Sequence, residues 1–409
     1  MSRTSDTLRV RLGAVTVGHL LLGENDRSTW VPDTLWVHMP DRPVLGQQFE
    51  DAPANRYTKH VRLPPFFSNL LPERESPLRR RIAEAVGVKI DRESRLLAHV
   101  GLDLPGAVIV EPVDASPVPP PMAEMDGEPA RDDTLGSRLR FSLAGVQLKF
   151  SMLRQDKALI YPASGRGGNW LVKLPHPRYP DVPQNEGSVM SWAAACGFEV
   201  PPHLVVEADA LEGLPEPLLR SVSHAFAIAR YDRTPNGRVH QEDFAQVGGL
   251  YPEAKYDGNY ETVARRLLVL CGREDAIDFV RRLAFVVASG NNDAHLKNWS
   301  LIYPDGIHPR LAPVYDQVST LPYHEMDRKL ALRLGGVDAF EAVGISTFER
   351  FARRVGLDER EVSAAVEETW LKARDAWTSI ADAAPASLRA ALAEHWQTVP
   401  MLRQLGWRG

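Results

Sequence analysis

The N-terminal part of the chain alternates apolar and polar positions in short runs. Residues 8–12 carry leucine or valine at every second position with arginine between them, which is the period of a half-buried strand. Further short apolar runs, such as residues 34–39, predict that this part is a small β-rich unit. One helix is predicted over residues 76–87, where Ser76 can cap, a proline occupies the first helical position and Gly87 ends the pattern.

The composition changes abruptly after this unit. Residues 111–137 are rich in proline, acidic and small residues and poor in large apolar ones. Such a stretch buries too little apolar surface to offset its ordering entropy. We therefore divide the chain into a β-rich N-terminal subdomain over residues 1–112 and a linker or mobile loop over residues 113–137.

Beyond the linker, strand-like runs alternate with one helix before helical periodicity takes over. Residues 169–175 and 225–233 are predicted to be strands. Residues 185–201 are predicted to form a helix that Gly197 stops. From about residue 240 the pattern is mostly helical, and the apolar stripe within residues 277–287 marks one buried helix.

These patterns predict two further units. A mixed α/β section covers residues 138–233 and a helical section covers residues 234–409. Together they predict a bilobal arrangement with a cleft at the junction near residue 233.

Composition and charge narrow the class of protein. Hydrophobic residues make up 44% and charged residues 25% of the 409 positions, as in an ordinary globular protein. The net charge of −5 gives no overall basic field for nucleic acid or a membrane surface. Cys196 and Cys271 lack CxxC spacing, so neither a disulfide framework nor a zinc site is expected. No signal peptide or membrane span is evident, and we expect a cytoplasmic protein.

A cluster of polar side chains follows the buried helix, within "SGNNDAHLKNWSLIY" (residues 289–303). Asp293 and Asn298 are spaced as in the catalytic loop of protein kinases, where the carboxylate reaches the substrate hydroxyl and the amide oxygen reaches Mg²⁺. The same spacing also fits an ordinary turn between a helix and a loop, so the interpretation depends on its context.

Three other positions provide that context, each with an alternative reading. Asp316 ends a strand-like run and could supply oxygen to Mg²⁺, or could simply form a turn. Lys173 lies inside an apolar strand. Its side chain could point outward from an edge strand, or it could be held against phosphates and oriented by Glu186. Residues 141–150 ("FSLAGVQLKF") could be a hairpin turn or a loop that covers phosphates.

Taken together, these segments resemble the HipA family of bacterial Ser/Thr kinases, the toxin halves of HipA–HipB toxin–antitoxin pairs. Residues 64–73 ("PPFFSNLLPE") resemble the signature of the family's N-terminal subdomain, and residues 142–149 ("SLAGVQLK") resemble its S-x-A-G-x-Q-x-K phosphate loop. The remaining similar segments follow in the family's order at residues 171–175, 185–201, 229–233, 240–244, 290–298 and 311–319. Ala229 and Leu148 depart from the pattern, since some relatives carry glutamate at the place of Ala229 and glutamate is frequent at that of Leu148.

The resemblance implies an α+β, bilobal protein-kinase-like fold with a β-rich N-terminal subdomain, a mixed α/β N-lobe and a mostly helical C-lobe. It implies that Asp293 is the catalytic aspartate, that Asn298 and Asp316 hold Mg²⁺, and that Ser142 is autophosphorylated, which would expel the phosphate loop. The positions that it assigns to ATP binding are Ala144, Gly145, Val146, Gln147, Leu148, Lys149, Lys173, Ala229, Arg230, Tyr231, His295, Leu296, Lys297, Asn298, Tyr315 and Asp316.

The function implied by the resemblance is an ATP-dependent protein kinase that acts as a toxin. Its substrate would be an aminoacyl-tRNA synthetase, whose phosphorylation inhibits translation and growth. Its partner would be a HipB-like helix-turn-helix antitoxin, and the negative net charge suggests that operator DNA is contacted mainly through the antitoxin. Two alternatives remain open: a kinase of a small molecule, and a nucleotide-binding repressor subunit without kinase activity.

Overall fold

The computed structural model describes residues 7–23, 27–113, 148–161, 167–176, 179, 181–214, 216–220, 222–323 and 328–407. The predicted linker therefore lies outside the described residues except for Val113. The strands are β1 (Thr7–Leu12), β2 (Val15–Leu22), β3 (Ser28–Pro32), β4 (Tyr57–Lys59), β5 (Val108–Pro112), β6 (Lys149–Gln155), β7 (Ala158–Ile160), β8 (Trp170–Lys173), β9 (His203–Glu207), β10 (Leu211–Glu212), β11 (His224–Ala229), β12 (Arg233–Thr234), β13 (Gly237–Arg238), β14 (His240–Asp243), β15 (Ser300–Tyr303), β16 (Arg310–Leu311), β17 (Lys329–Leu334) and β18 (Val337–Ala339).

The helices supply most of the second half of the chain. They are α1 (Thr34–Val37), α2 (Pro65–Ser68), α3 (Pro77–Val86), α4 (Glu93–Val100), α5 (Val182–Ala195), α6 (Glu216–Leu219), α7 (Phe244–Val247), α8 (Tyr260–Leu270), α9 (Arg273–Ser289), α10 (Ile345–Val355), α11 (Glu359–Ile380), α12 (Ala386–Thr398) and α13 (Pro400–Gln404). Within the described residues, no helix combines the length and the apolar character that crossing a membrane requires.

The N-terminal subdomain is built on one antiparallel sheet with strand order β4-β3-β2-β1-β5. β1 buries every second residue, as its alternating sequence predicted. α3 begins where expected, because the Ser76 side chain accepts a hydrogen bond from Arg79 N, and it ends at Gly87 in the left-handed conformation. The apolar run at residues 34–39, assigned to the β-rich unit, instead forms the short helix α1, because Asp33 caps its first turn.

The mixed lobe carries a six-stranded sheet with strand order β10-β7-β6-β8-β11-β9. The predicted strands at residues 169–175 and 225–233 correspond to β8 and β11. The predicted helix at residues 185–201 corresponds to α5, which begins three residues earlier, at Val182. α5 approaches β9 closely, since a Cβ on Gly187 would come within 2.5 Å of Val205.

The second lobe is mostly helical, as predicted. The apolar stripe of residues 277–287 lies on α9, which packs against α8 and α11. Helical periodicity did not predict the small sheet β14-β15-β16 or the hairpin β17-β18. β14 pairs with β15 across a long stretch of helical sequence, so no local pattern marks the pairing. The architecture of a β-rich N-terminal subdomain, a mixed lobe and a helical lobe is confirmed.

Two apolar cores hold the described residues together. One combines the N-terminal sheet and its helices with side chains of the six-stranded sheet. The other combines α5 with the helical lobe. Since the first core joins the N-terminal subdomain to the mixed lobe, burial of apolar surface favours their association.

The junction between the lobes is also tied to the N-terminal subdomain by a buried network of charges. Asp232 accepts a hydrogen bond from Gly106 N at 2.7 Å. Asp103 binds Arg230 at 3.1 Å and Arg233 at 3.0 Å. We call these five residues the junction network, and it fixes the N-terminal subdomain against the point where the chain passes from one lobe to the other.

Candidate active site

A crevice with a volume of about 450 Å³ lies between the lobes, close to residue 233 as predicted. Residues 228–232 form its back wall, β8 and α5 line one side, and residues 293–300 and 315–320 line the other. Asn69 and Glu73 of the N-terminal subdomain also reach it. All three units of the chain therefore contribute to one concave surface, a typical place for a ligand.

The loop after α9 presents the predicted catalytic segment to this crevice. Gly290 ends the helix at φ 62°, and a Cβ there would come within 2.3 Å of Leu321, so glycine is required. Asn291 accepts a hydrogen bond from Asp293 N at 2.9 Å. Asn298 donates from Nδ2 to the carbonyl oxygen of Asp293 at 2.7 Å. These bonds hold the two ends of the segment together and keep Asp293 in a fixed position.

The carboxylate of Asp293 contacts a tyrosine hydroxyl. Tyr256 donates a hydrogen bond to Asp293 Oδ1 at 2.5 Å. Burial raises the pKa of Asp293, and the bond from Tyr256 opposes that rise. His295 Nε2 lies 3.8 Å from Asp293 Oδ1, but burial lowers the pKa of His295 to about 3, so its ring is neutral at physiological pH and the pair is no salt bridge.

Two lysines and two carboxylates meet across the crevice. Lys173, at the end of β8, contacts both Glu186 on α5 and Asp316. Lys149 Nζ lies 3.6 Å from Asp316 Oδ2. Although burial opposes it, the two lysines hold the pKa of Asp316 far below its usual value, and the carboxylates likewise raise the pKa of Lys173. Lys173 therefore does not point outward from an edge strand, and all four groups form one charged cluster.

Asp316 has an unusual backbone conformation. Its φ of 56° lies in the left-handed region, which residues other than glycine rarely adopt. The preceding Tyr315 is fixed by hydrogen bonds from its hydroxyl to the Lys297 carbonyl oxygen at 3.0 Å and with Ser300 at 2.6 Å. Strain of this kind concentrates at functional sites, where the surrounding contacts impose it.

The predicted nucleotide-binding positions at the lobe junction line the crevice, but several of their polar groups are already bonded. Ala229 N donates to the Pro202 carbonyl oxygen at 2.8 Å, and Arg230 N donates to that of Asn169 at 2.9 Å. The guanidinium of Arg230 is part of the junction network. The ring of Tyr231 lies 5.7 Å from that of Tyr315 and leaves an aromatic surface in the crevice.

Not every predicted position reaches the crevice. The side chain of Leu296 is buried in the core of the helical lobe, and Leu148 packs against the other core. Lys297 lines the crevice, but its ammonium binds Asp243 at 2.7 Å and Asn69 at 3.0 Å. Residue 142 and residues 144–147, which include the predicted autophosphorylation site and most of the phosphate loop, lie outside the described residues.

Several residues of the crevice were not predicted, among them four that lie close to Asp293 or to the residues bonded to it: Asn69, Glu73, Lys255 and Tyr256. A signal for the first two was present, because Asn69 and Glu73 are polar residues within the conspicuous run "PPFFSNLLPE". For Lys255 and Tyr256 the surrounding sequence is polar and resembles any solvated loop. Only the tertiary structure brings them to Asp293.

Comparison with known proteins agrees with the resemblance found in the sequence. A model of the HipA N-terminal domain matches residues 8–111, and a model of the HipA-like C-terminal domain matches residues 141–377. "Putative kinase Y4dM" of Sinorhizobium fredii is 40% identical over 407 residues, covering 97% of this chain and 98% of that protein. "Putative kinase Y4mE" of the same organism is 32% identical over 336 residues, covering 75% and 76%.

Among solved structures, the chain superposes on HipA from the complex described as "Shewanella oneidensis MR-1 Toxin Antitoxin System HipA, HipB and its operator DNA complex". The TM-score is 0.72, with 21% identity over 98% of both chains. This similarity establishes a shared fold, and the predicted α+β, bilobal kinase-like fold is confirmed. Both domain models and the relative that spans almost the whole chain lead to the same conclusion: the chain belongs to the HipA family.

Proposed function

We propose that the chain is an ATP-dependent kinase that transfers the γ-phosphoryl group to a serine or threonine hydroxyl of a protein. The observation that carries this proposal is the convergence in one crevice of Asp293, Asp316 and the buried Lys173. Lys173 is oriented by Glu186, the kind of lysine–glutamate pair that protein kinases require between strand and helix. The names of the two Sinorhizobium relatives and the family membership support the same reaction class.

Asp293 is the residue that we propose as the proton acceptor. The hydroxyl of Tyr256 at 2.5 Å demonstrates that a hydroxyl can donate to this carboxylate from the crevice. An acceptor serine or threonine in the same relation would be aligned for attack, and its proton would pass to Asp293. Lys173 and Lys149 supply positive charge opposite Asp293, where the negative charge of the transferred group would be stabilised.

The residues present fit a magnesium ion that arrives with the nucleotide. Asn298 commits its amide nitrogen to the Asp293 carbonyl oxygen, so its amide oxygen is left as a ligand, and Asp316 adds a carboxylate that already attracts two ammonium groups. In the part of the chain that the structure describes, no group of three or more His, Cys, Asp or Glu could hold a metal ion. Mg²⁺ is commonly held by one or two protein ligands together with phosphates and waters, which suits this pair. The ion would neutralise charge on the phosphates.

A phosphotransfer assay tests the proposal. We expect the purified chain with Mg²⁺ and γ-labelled ATP to label proteins of a bacterial lysate. Replacing Asp293 by asparagine should reduce the rate by about 10²–10⁴-fold, because the proton acceptor is lost. Asp305→Asn is the control, since Asp305 lies in an exposed turn paired with His308, outside the crevice.

The outcomes of this assay separate the alternatives. Equal labelling by wild type and Asp293→Asn would contradict the proposed role of Asp293. Label that appears only in small molecules would indicate a metabolite kinase. ATP binding without transfer by the wild type would indicate a nucleotide-binding repressor subunit.

We further propose that this kinase is the toxin of a toxin–antitoxin module and acts on an aminoacyl-tRNA synthetase. Family membership supports this role, as does the fold shared with a HipA that was solved with HipB and operator DNA. The partner that we propose is a HipB-like helix-turn-helix antitoxin, which would supply most contacts to operator DNA because this chain has a net charge of −5. Expression of the wild type, but not of Asp293→Asn, should arrest growth and reduce aminoacylation in cell extracts.

Ser142 is the proposed autophosphorylation site. Incubation with ATP should add one phosphate to the peptide that contains residues 141–149, as measured by mass spectrometry, and activity should then decline. Ser142→Ala should remain active for longer. Phosphate found only on other peptides would contradict the assignment.

A further inference from the structure

The N-terminal subdomain contacts the loop that carries Asp293 through Asn69. Asn69 is only 2% exposed, and both polar atoms of its side chain are hydrogen-bonded. It donates to the carbonyl oxygens of Pro65 at 2.9 Å and Leu250 at 2.7 Å, and its Oδ1 accepts from Lys297 Nζ at 3.0 Å. A buried polar group with all its bonds made has one well-defined orientation. Asn69 is therefore held in one orientation, in which its side chain binds Lys297 of the loop.

Lys297 is bound on more than one side. Besides Oδ1 of Asn69, its ammonium contacts the Asn69 carbonyl oxygen at 3.2 Å and the carboxylate of Asp243 at 2.7 Å. Lys297 immediately precedes Asn298, whose side chain bonds the backbone of Asp293. The position of Lys297 is thereby transmitted directly to the segment that presents the carboxylate.

Glu73, four residues after Asn69, provides a second route to the same loop. Glu73 Oε1 binds Lys255 Nζ at 2.7 Å. The carbonyl oxygen of Lys255 accepts a hydrogen bond from Leu296 N at 3.0 Å, and the next residue, Tyr256, bonds Asp293. Asn69 and Glu73 thus reach the two flanks of Asp293 through different lysines.

We propose that Asn69 and Glu73 are positioning residues of the active site, so that the N-terminal subdomain is an integral part of the catalytic machinery. This inference rests on the proposed kinase function. Neither residue is assigned to the proton acceptor, the metal ligands or the nucleotide. They act through Lys297 and Lys255, and they set the place of Asp293 relative to an acceptor hydroxyl.

Loss of positioning has a characteristic kinetic signature. A small displacement of a catalytic group can reduce the rate by about 10²-fold while substrate binding persists. We therefore expect Asn69→Ala to lower kcat by about tenfold or more, with KM for ATP changed by less than about twofold. Glu73→Gln, which keeps the size of the side chain and removes its charge, should lower kcat by a smaller factor.

A matched control exists at the same interface. Glu253 pairs with Arg62 at 3.0 Å and also joins the helical lobe to the N-terminal subdomain, but it does not line the crevice. Glu253→Gln should retain the wild-type kcat. The three variants and the wild type are compared by ATP-dependent phosphotransfer and by thermal unfolding.

Hydrogen–deuterium exchange gives a measure that does not depend on activity. In Asn69→Ala, and to a lesser extent in Glu73→Gln, amides of residues 291–299 should exchange faster than in the wild type, and in Glu253→Gln they should not. If the wild-type protein shows no phosphotransfer, the proposed function is contradicted. The exchange data would still show whether Asn69 and Glu73 hold the loop that carries Asp293 in place. Unchanged exchange in Asn69→Ala and Glu73→Gln, or a kcat equal to that of Glu253→Gln, would overturn this inference.

Discussion

Asp293, which we propose as the proton acceptor, is in direct contact with Tyr256. The hydrogen bond of 2.5 Å favours the ionised carboxylate, whereas burial favours the neutral acid. Because 39% of the Asp293 side chain remains exposed, solvent and an incoming acceptor can both reach it. In the reaction that we propose, the tyrosine would therefore adjust the pKa of the proton acceptor and would lie where an acceptor hydroxyl approaches.

Replacement of Tyr256 by phenylalanine should move the acid limb of the pH profile. Without the bond that lowers it, the pKa of Asp293 rises, and a smaller fraction of the enzyme carries the ionised base at low pH. We expect the acid limb of kcat/KM to shift to higher pH, as measured by phosphotransfer between pH 5 and 8. Tyr251→Phe is the control, because the Tyr251 hydroxyl bonds the Leu63 carbonyl oxygen at 3.2 Å, away from Asp293. An unchanged limb in Tyr256→Phe would contradict this account.

At the scale of single elements, α9 matters most, since its last turn supports the loop that follows. The final carbonyl groups of a helix lack partners within it. In this structure, tryptophan side chains of neighbouring helices donate hydrogen bonds to carbonyl oxygens in the last turns of α9. Trp396 on α12 donates to the carbonyl oxygen of Ala288, one of these final groups, at 2.8 Å, and Trp370 on α11 donates to that of Ala284, one turn earlier, at 2.9 Å. The two C-terminal helices therefore stabilise the end of α9 and, indirectly, the loop with Asp293.

Trp396→Phe should reveal the contribution of this bond. The substitution leaves the Ala288 carbonyl oxygen buried without its donor, which costs about 1–3 kcal/mol in addition to the lost volume. Trp407→Phe removes a similar volume from the same aromatic cluster, and the indole nitrogen of Trp407 has no acceptor among the described residues. Urea denaturation should show a larger loss of unfolding free energy for Trp396→Phe. Equal losses would mean that the hydrogen bond contributes nothing.

Gly290→Ala should disturb both stability and activity. A left-handed alanine costs about 1–2 kcal/mol, and its Cβ would also meet Leu321 at 2.3 Å. Gly87→Ala is a matched control at φ 69°, because a Cβ there meets nothing within 4 Å. We expect Gly290→Ala to lower the free energy of unfolding more than Gly87→Ala, and only Gly290→Ala to lower kcat. Similar effects of both variants would argue against steric control of the loop.

Local signals explain which elements the sequence predicted well. The signals for α3 all lie within the helix or beside it: the capping serine, the proline and the terminal glycine. They are sufficient to predict where the helix begins and ends. α1 was missed because four residues carry too little periodicity to outweigh an apolar run. The candidate site residues were predicted from the spacing of Asp293 and Asn298 and from the resemblance to a known family. By contrast, the contacts of Lys173 with Asp316 and of Lys297 with Asn69 join residues 143 and 228 positions apart, and no local pattern encodes such pairings.

For the molecule as a whole, the association of the N-terminal subdomain with the rest of the chain includes a buried acid. Glu242 is 1% exposed and accepts hydrogen bonds from Tyr303 OH and from Gln47 N, the latter at 2.9 Å. Burial raises its pKa to about 8, above the ordinary value of 4.5. The neutral form is therefore preferred at this interface, and ionisation opposes the folded state.

Stability should depend on pH through this residue. The folded state binds the proton of Glu242 more tightly than the unfolded state does. The stabilisation that this protonation provides is complete below pH 4.5 and is lost as pH rises to about 8. The slope is at most about 1.4 kcal/mol per pH unit. Glu242→Gln, which stays neutral, should flatten this part of the curve in thermal unfolding measured from pH 4.5 to 8. If the two proteins differ by a constant amount at every pH, ionisation of Glu242 is not responsible.

The junction network restricts how the two lobes can move. Arg230, Asp232 and Arg233 are bonded to Asp103 and Gly106 of the N-terminal subdomain, so the chain is anchored at the place where it passes from one lobe to the other. Rotation of the chain at this junction would have to break buried ion pairs or carry the N-terminal subdomain along with it. If the chain is the kinase that we propose, exchange of ADP for ATP should therefore proceed through movement of the outer walls of the crevice while the junction between the lobes stays fixed.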